Sequence, residues 1–520
     1  MKKLLLLLIL IPLYSEAVTY LATTASEIQN YTNLLQAGDT LLVQDGSYDL
    51  NWNISDRSGA GNDWIVIRAV NNNARINGVN YDNVVDIYNC HYVELLGFEI
   101  TNAYVGSGID GIKFRTTSDH IRMEDLHIHD LTGVGISANP AGQSFTFLTI
   151  RHCHIHDITD VGEGLYIGNH DGLSPVFHCL VERNWIHDCH PHKGIQFKRG
   201  TWMNLVQDNV VYNCDEAGIV LYKTDQSIVD SNNIVRRNAV WSAPEGIFAV
   251  GQTNIENNVI FNCGYGINVR NYSGWGMKDL FIRNNTIYSC ATTGLCLDDW
   301  DVATADMVCV NNAVYQDSLG MSAIQAPNGI GPGLISHNRH YGQSQVAGSI
   351  LGNPPSLEFI NPGITPGDVD LYPRPVSALR DSGSSGYGAP DHDFDFFPRP
   401  FNGIWDIGAY EWSQNTNPGW IIHEDFKEIP TGIAEDKTAL IPSEHGRDFI
   451  TNGVIEWSGL DPGTRVKIYD MCGRSIHDSI LINGKKYKFS SIRLAVGVYY
   501  YIFMPPDAGR SISGKIVRIH

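Results

Sequence analysis

The chain has 520 residues, 36 Lys and Arg against 56 Asp and Glu, and a formal net charge of −20. Such an acidic balance argues against nucleic acid as a partner, and any acidic polysaccharide would need a local basic patch. With 43% hydrophobic and only 18% charged residues, and with 51 Gly, the composition excludes wholesale disorder and suits a protein of strands and turns. A chain this long exceeds one ordinary compact core, but a solenoid that grows by adding rungs escapes that limit.

Met1–Ala17 carries two lysines, a leucine-rich run and the small-x-small end Ser15-Glu16-Ala17. This is the pattern of a secretory signal peptide whose cleavage leaves Val18 first. No Cys stands at that junction to take a lipid anchor. No later apolar run is long enough to span a membrane. Residues Val18–Ser58 are expected to cap the open end of the fold, with SEIQNYTNLLQ as a helix burying Ile28, Leu34 and Leu35.

From about Trp64 to Tyr315 the chain repeats itself. VERNWIHDCHPHKGIQFKRG (Val181–Gly200) and LVQDNVVYNCDEAGIVLYKTD (Leu205–Asp225) are two copies of one unit. Each has an Asn, then an apolar-aromatic-x-Cys segment, then Gly-Ile-x-apolar-x. Alternate apolar residues mark half-buried strands. A unit of about 25 residues with three short strands must bury its apolar face on its neighbours. The expected fold is therefore all-β: a right-handed parallel β-helix. Asn184, Asn209, Asn238, Asn258, Asn285 and Asn312 should form a ladder of side-chain amides. Cys189, Cys214, Cys263 and Cys290 share one slot and should be buried free thiols, although bridges between rungs stay open. The periodicity dissolves after Asp317. SALRDSG … DHDFDFFPRPFNGIWDIGAYEW reads as a closure ending at Trp412, and 413–450 as a linker. Residues 451–520 alternate as a small β-sandwich.

Two resemblances follow from these motifs. The opening "E-I-Q … A-G-D-T-L-L-V-Q-D-G-S-Y", with WIVIRA and ARINGVN, resembles pectate-lyase-like β-helix proteins. It is especially similar to the alginate lyase and chondroitinase B family of polysaccharide lyases. The C-terminal pattern of Val466-Lys-Ile-Tyr-Asp470, Gly473-Arg474, Gly497-Val-Tyr-Tyr500 and Lys515-Ile-Val resembles the sorting domain of type IX secretion cargo. That resemblance implies handling by the type IX machinery and delivery to the cell surface or medium.

Candidate site residues come from the Gly-Ile-x-apolar-x strand, whose x positions should point outward and stack as columns. One column runs Lys113, Ser137, Tyr166, Gln196, Val220, Phe248, Asn268, Cys296. The other runs Arg115, Asn139, Gly168, Lys198, Tyr222, Val250, Arg270, Asp298. Lys198 leads, because Lys-Arg-Gly-Thr-x-x-Asn resembles the segment carrying the catalytic lysine of those lyases. The resemblance implies β-elimination from a uronate with Lys198 as base, and Tyr222, its neighbour by column, is the candidate proton donor to the leaving oxygen. Lys193, Gln196, Arg199, Tyr166, Asn268 and Arg270 are candidate substrate contacts by position. Calcium is the implied cofactor, with Glu163, Glu245 and Glu216 as its acids, though they sit on different rungs. The family's arginine on the next rung finds no match near Tyr222-Lys223.

His129, His156 and His187 recur in one slot and could hold zinc. Tyr212, Trp241, Phe261, Tyr288 and Tyr315 fill that slot later, so the column is read as an aromatic stack. The expected function is a secreted, monomeric lyase on an acidic glycan. A β-helix glycoside hydrolase using Glu163 and Glu245, or Asp298-Asp299, is one alternative; a non-catalytic glycan-binding adhesin is the other.

Overall fold

The structure, a computed structural model, describes residues 17–428 apart from 62, 103, 105, 225–230, 303–306 and 332, and beyond them the strands between residues 449 and 518. Residues 1–16 of the expected signal segment 1–17, most of the linker and the Gly473-Arg474 turn lie outside the described residues. No helix among the described residues is long and apolar enough to cross a membrane.

The repeat builds a parallel β-solenoid of about 11 turns. Its three sheets begin at Thr19–Ala22, Trp52–Ser55 and Gly46–Asp49, and every strand pairs in parallel with the equivalent strand one turn on. Inward residues fill the core. Ile195, Phe197, Ile219, Leu221, Ile267 and Val269 are fully buried.

The corner entering the third sheet explains the Asn ladder. A residue with positive φ (Arg183, Asp208, Arg237, Asn257, Asn284 or Asn311) bends the chain, and the next residue is the inward Asn. Each Asn Nδ2 donates to the following Asn Oδ1 over 2.9–3.0 Å, from Asn184 through Asn209, Asn238, Asn258, Asn285 and Asn312 to Asn338. Each Nδ2 also caps a backbone carbonyl of the turn before, as Asn258 does at Val235. Buried corner amides are thereby satisfied where no water reaches.

The Gly that opens each second-sheet strand has a steric reason. A Cβ on Gly164 would stand 2.7 Å from the Gly194 carbonyl oxygen and 3.3 Å from Cys189 Sγ. All nine described cysteines are free and buried.

The solenoid departs from expectation in three places. It begins earlier, since Thr40–Val43 already pairs with Thr19–Ala22. The cap helix Ala25–Thr32 forms and buries Ile28, but Leu34 is 54% exposed. It also runs past Tyr315: Ser322–Gln325, Leu334–Ser336, Asn338–Tyr341 and Ser349–Leu351 continue the sheets. The third departure is the segment after Trp412, expected as a free tether. Trp420, Ile422 and Lys427 are buried with Phe394 and Tyr410 of the closure.

The C-terminal unit is small and mainly antiparallel. Arg465–Asp470 pairs with Ser475–Ile480 and with Gly497–Met504, which in turn pairs with Ile512–Arg518.

Candidate functional site

The two outward columns form on the second sheet in the expected register. Tyr166 pairs with Gln196, Gln196 with Val220, Val220 with Phe248, and Phe248 with Asn268. These positions point away from the core yet are largely covered. Gln196 is 0% exposed, Phe248 2% and Tyr222 8%. Tyr222 and Phe248 are covered by a loop that carries the short 3-10 turn Tyr272–Gly274 and Trp275. Tyr222 meets the rings of Phe248, Tyr272 and Trp275 at centroid distances of 5.8, 5.3 and 5.7 Å. The sequence reading missed Tyr272 and Trp275, although two aromatics among three glycines and serines after Arg270 were the available signal.

Lys198 differs from the other cations of these columns. Lys113 pairs with Asp110 at 2.7 Å, Arg115 with Asp86 at 2.8 Å and Arg270 with Glu245 at 3.2 Å. Lys193 is paired with Glu216, which also meets His192 at 2.7 Å. Lys198 has no carboxylate within ion-pair distance among the described residues. Its Nζ lies instead over the rings of Tyr166 and Tyr222, 4.7 and 5.1 Å from their centroids. Gly168 stands beside it in the column. A Cβ there would come within 3.3 Å of Lys198 Cβ, so the missing side chain leaves the lysine room. Burial, then the like charge of Lys193, bring the Lys198 amine down to about 8, against the pull of Glu163 and Glu216. Burial pushes Tyr166 up to about 12 and Tyr222 further still.

Three buried polar atoms on this face have no partner among the described residues: Glu163 Oε2, Gln196 Oε1 and Asn268 Oδ1. Glu163 Oε1 accepts from Gln196 Nε2 at 3.2 Å, and Asn268 Nδ2 donates to Glu245 Oε1 at 2.7 Å. Burial raises the Glu163 carboxyl above its ordinary range, against the pull of His192, Lys193 and Lys198. Unpaired buried acceptors beside a lightly paired lysine form a surface that a hydroxyl-rich ligand can satisfy.

The acids proposed for calcium are otherwise engaged. Glu216 serves Lys193 and His192, Glu245 serves Arg270 and Asn268, and Glu163 faces Gln196. Calcium takes 6–8 oxygens, and among the described residues these three carboxylates do not gather into one group. The donor set does not fit calcium. Asp298 and Asp299 are likewise occupied, both accepting from Asn328 Nδ2, at 2.9 and 3.0 Å. Arg199 lies over the Trp275 ring, 5.1 Å from its centroid, at the rim of the site.

The histidine slot stacks as read. His129, His156, His187, Tyr212 and Trp241 follow at centroid spacings of 5.2, 5.0, 4.8 and 4.6 Å, with rings within 8° of parallel.

Residues 43–234 match the family described as right handed beta helix region, and residues 176–319 that described as periplasmic copper-binding protein (NosD). No curated protein matches the chain. Solved structures resembling it include a pectate lyase at 15% identity and TM-score 0.43, covering 77% of this chain and 97% of that one. The A-module of an Azotobacter vinelandii mannuronan C-5 epimerase gives 14% and 0.46, covering 64% and 96%. An alginate lyase of the PL6 family gives 13% and 0.38, covering 77% and 59%. The fold assignment rests on the sheet topology itself.

Proposed function

We propose that the protein is an exported β-helix polysaccharide lyase that cleaves an acidic, uronate-containing glycan by β-elimination on the second-sheet face. The carrying observation is Lys198, a half-buried amine brought down to about 8, over two phenol rings and without a carboxylate partner among the described residues. A base near the working pH is what proton abstraction needs.

In the proposed step the neutral Lys198 amine takes the proton from C5. The released electron pair forms the C4–C5 double bond, and the C4–O bond breaks. Tyr222, kept as a phenol by burial, protonates the leaving oxygen. Arg199 supplies positive charge for the uronate carboxylate, which acidifies the C5 proton. Gln196, Asn268 and Tyr166 meet sugar hydroxyls, and Lys193 and Arg270, each held by a carboxylate, line the same face. No step is routed through a metal. The same reading carries a type IX sorting role for residues 451–520, delivery to the surface or medium, and action as a monomer.

The test is a panel of uronate-bearing and neutral glycans with purified protein. Ultraviolet absorbance from a new C4–C5 double bond supports the lyase. New reducing ends without that absorbance would make the protein a hydrolase, and binding without turnover an adhesin.

A further inference from the structure

On a different sheet from the lysine site, the third sheet carries a second histidine column beside the stacked one. His127 and His154 stack on each other at 4.9 Å, with rings 3° from parallel. The two columns interlock. His127 Nε2 lies 2.8 Å from His156 Nε2, and His154 Nε2 lies 2.9 Å from His187 Nε2. His129 Nε2 lies 3.1 Å from Oε1 of Glu99, one turn earlier.

The orientation of these rings is set from outside. Asp130, Asp157 and Asp188 face the Nδ1 atoms of His129, His156 and His187 at 2.8, 2.7 and 2.6 Å. All three aspartates sit at positive φ, a conformation the same turn demands on every rung. Where the ring before that turn is not imidazole, the turn residue is not acidic: Asn213 follows Tyr212, Ser242 follows Trp241, Asn262 follows Phe261, and Ser289 follows Tyr288. Turn geometry alone therefore does not account for the carboxylates; they accompany the imidazoles. A carboxylate on Nδ1–H fixes the tautomer and turns the Nε2 lone pair outward, the arrangement that accompanies metal-ligating histidines.

The geometry points to a site for one divalent transition-metal ion of the imidazole-favouring class, such as zinc, held by Nε2 of His127, His129 and His156, with the Glu99 carboxylate, which meets His129 at 3.1 Å and Arg75 at 3.3 Å, moving in as fourth ligand. The three imidazole ligand atoms lie within 4.8 Å of one another. A tetrahedral ion with bonds of about 2.0–2.1 Å requires ligand atoms about 3.3 Å apart, so the 2.8 Å imidazole pair has to open by about half an ångström and the wider spacings within the group have to close. With His156 Nδ1–H given to Asp157, its Nε2 accepts in the empty site, and His127 donates. His129 gives its Nδ1–H to Asp130 and meets Glu99 with a second N–H on Nε2, so the ion replaces two protons, one from His127 and one from His129. Neutral imidazoles with one carboxylate suit zinc, copper or nickel and do not suit calcium. The alternative trio His154, His156 and His187 shares His156, so the two cannot fill together. Among the described residues it has no carboxylate placed as Glu99 is, and His154 is stacked on Trp185 at 3.8 Å. Three successive rungs supply the ligands, from Phe98–Asn102, His127–Leu131 and His154–Ile158. The ion would pin those rungs together.

The experiment uses the full chain without a polyhistidine tag, stripped with chelator and dialysed, then titrated with Co²⁺ and separately with Zn²⁺. Expected are one ion per chain by calorimetry, tetrahedral Co²⁺ absorption bands, and a rise in melting temperature with Zn²⁺. Glu99→Gln, which removes no ring from the stack, and His156→Ala should each lose the bands and the melting shift. Asp157→Asn should weaken binding by about 10–100-fold, and His187→Ala should keep one site. Circular dichroism of each apo variant separates lost binding from lost fold. Absence of saturable binding, or binding unchanged in Glu99→Gln, would overturn the assignment. So would loss of binding in His187→Ala with His127→Ala unaffected, because the ion would then sit in the other trio.

Discussion

Lys427 Nζ donates to Asp208 Oδ1 across 3.1 Å although the two lie 219 positions apart in the sequence, and both side chains are buried. Arg237 grips the same carboxylate at 2.8 Å, and the Lys427 ammonium also donates to the carbonyls of Arg237 and Phe394. The segment after Trp412 is thus fastened to the flank of the solenoid by a charge with no water to fall back on. Removing one partner of a buried pair costs about 3–5 kcal/mol. Lys427→Met should lower the melting temperature markedly and expose the segment around Trp420 to protease, while Lys223→Met should not open that segment. An unchanged proteolysis pattern in Lys427→Met would mean that the apolar contacts of Trp420 and Ile422 hold the segment alone.

The Asn ladder makes a second prediction. Asn258 accepts from the backbone and side-chain N–H groups of Asn238 and donates to Val235 O and Asn285 Oδ1. Asn258→Ala would leave several buried groups unpaired at about 1–3 kcal/mol each before relaxation. Asn258→Asp keeps the acceptor but places a charge in the ladder. Both should lower the melting temperature, and a neutral Asn258→Ala would show that the backbone ladder carries the corner without its amides.

Much of this architecture was legible because a solenoid writes its core in period two and its corners in one repeated residue. Ile195, Ile219 and Ile267 could be placed inward and Gln196 outward from spacing alone. Burial of Tyr222 and Phe248 was not legible, because Tyr272 and Trp275 reach them from a loop whose path the period does not describe. The continuation past Tyr315 escaped for a related reason. Ala323 stands where the Gly of the repeat was expected, yet Asn338 follows Asn312 at the ladder's own spacing. Lys427 was hidden by its polar neighbourhood, since a cation buried against residues on a distant rung leaves no local pattern.

Deleting residues 451–520 tests the proposed address. The C-terminal strands pair among themselves, so the truncated solenoid should keep its melting transition. In its native host it should stay inside the outer membrane. Normal surface delivery would reject the sorting role and leave the lyase reading untouched.

Calcium independence is the fourth prediction. Glu163, Glu216 and Glu245 are not gathered as a calcium donor set, so turnover should survive a calcium-selective chelator. Activity lost with chelator and restored by Ca²⁺ alone would return a metal to the lysine face and require these side chains to rearrange.

The last prediction concerns the protonation of Lys198. As a base it works only when neutral, so the rate should rise with pH through about 8 and level off above it. If the lysine instead served as a cation holding the uronate carboxylate, the rate would fall over the same range. Lys193 is the second cause of the lowered value, after burial, and its removal also frees the Glu216 carboxylate to favour the charged amine. Both effects act in one direction, so Lys193→Met should move the rising limb to higher pH. Lys198→Ala should lower turnover by about 10²–10⁴-fold with the fold intact. Tyr222→Phe should lower it less, because water can protonate the leaving oxygen. Measured on one active glycan, a limb that stays in place in Lys193→Met would assign the titration to a different group. Equal rates in Lys198→Ala and the parent protein would remove the lysine from the chemistry altogether.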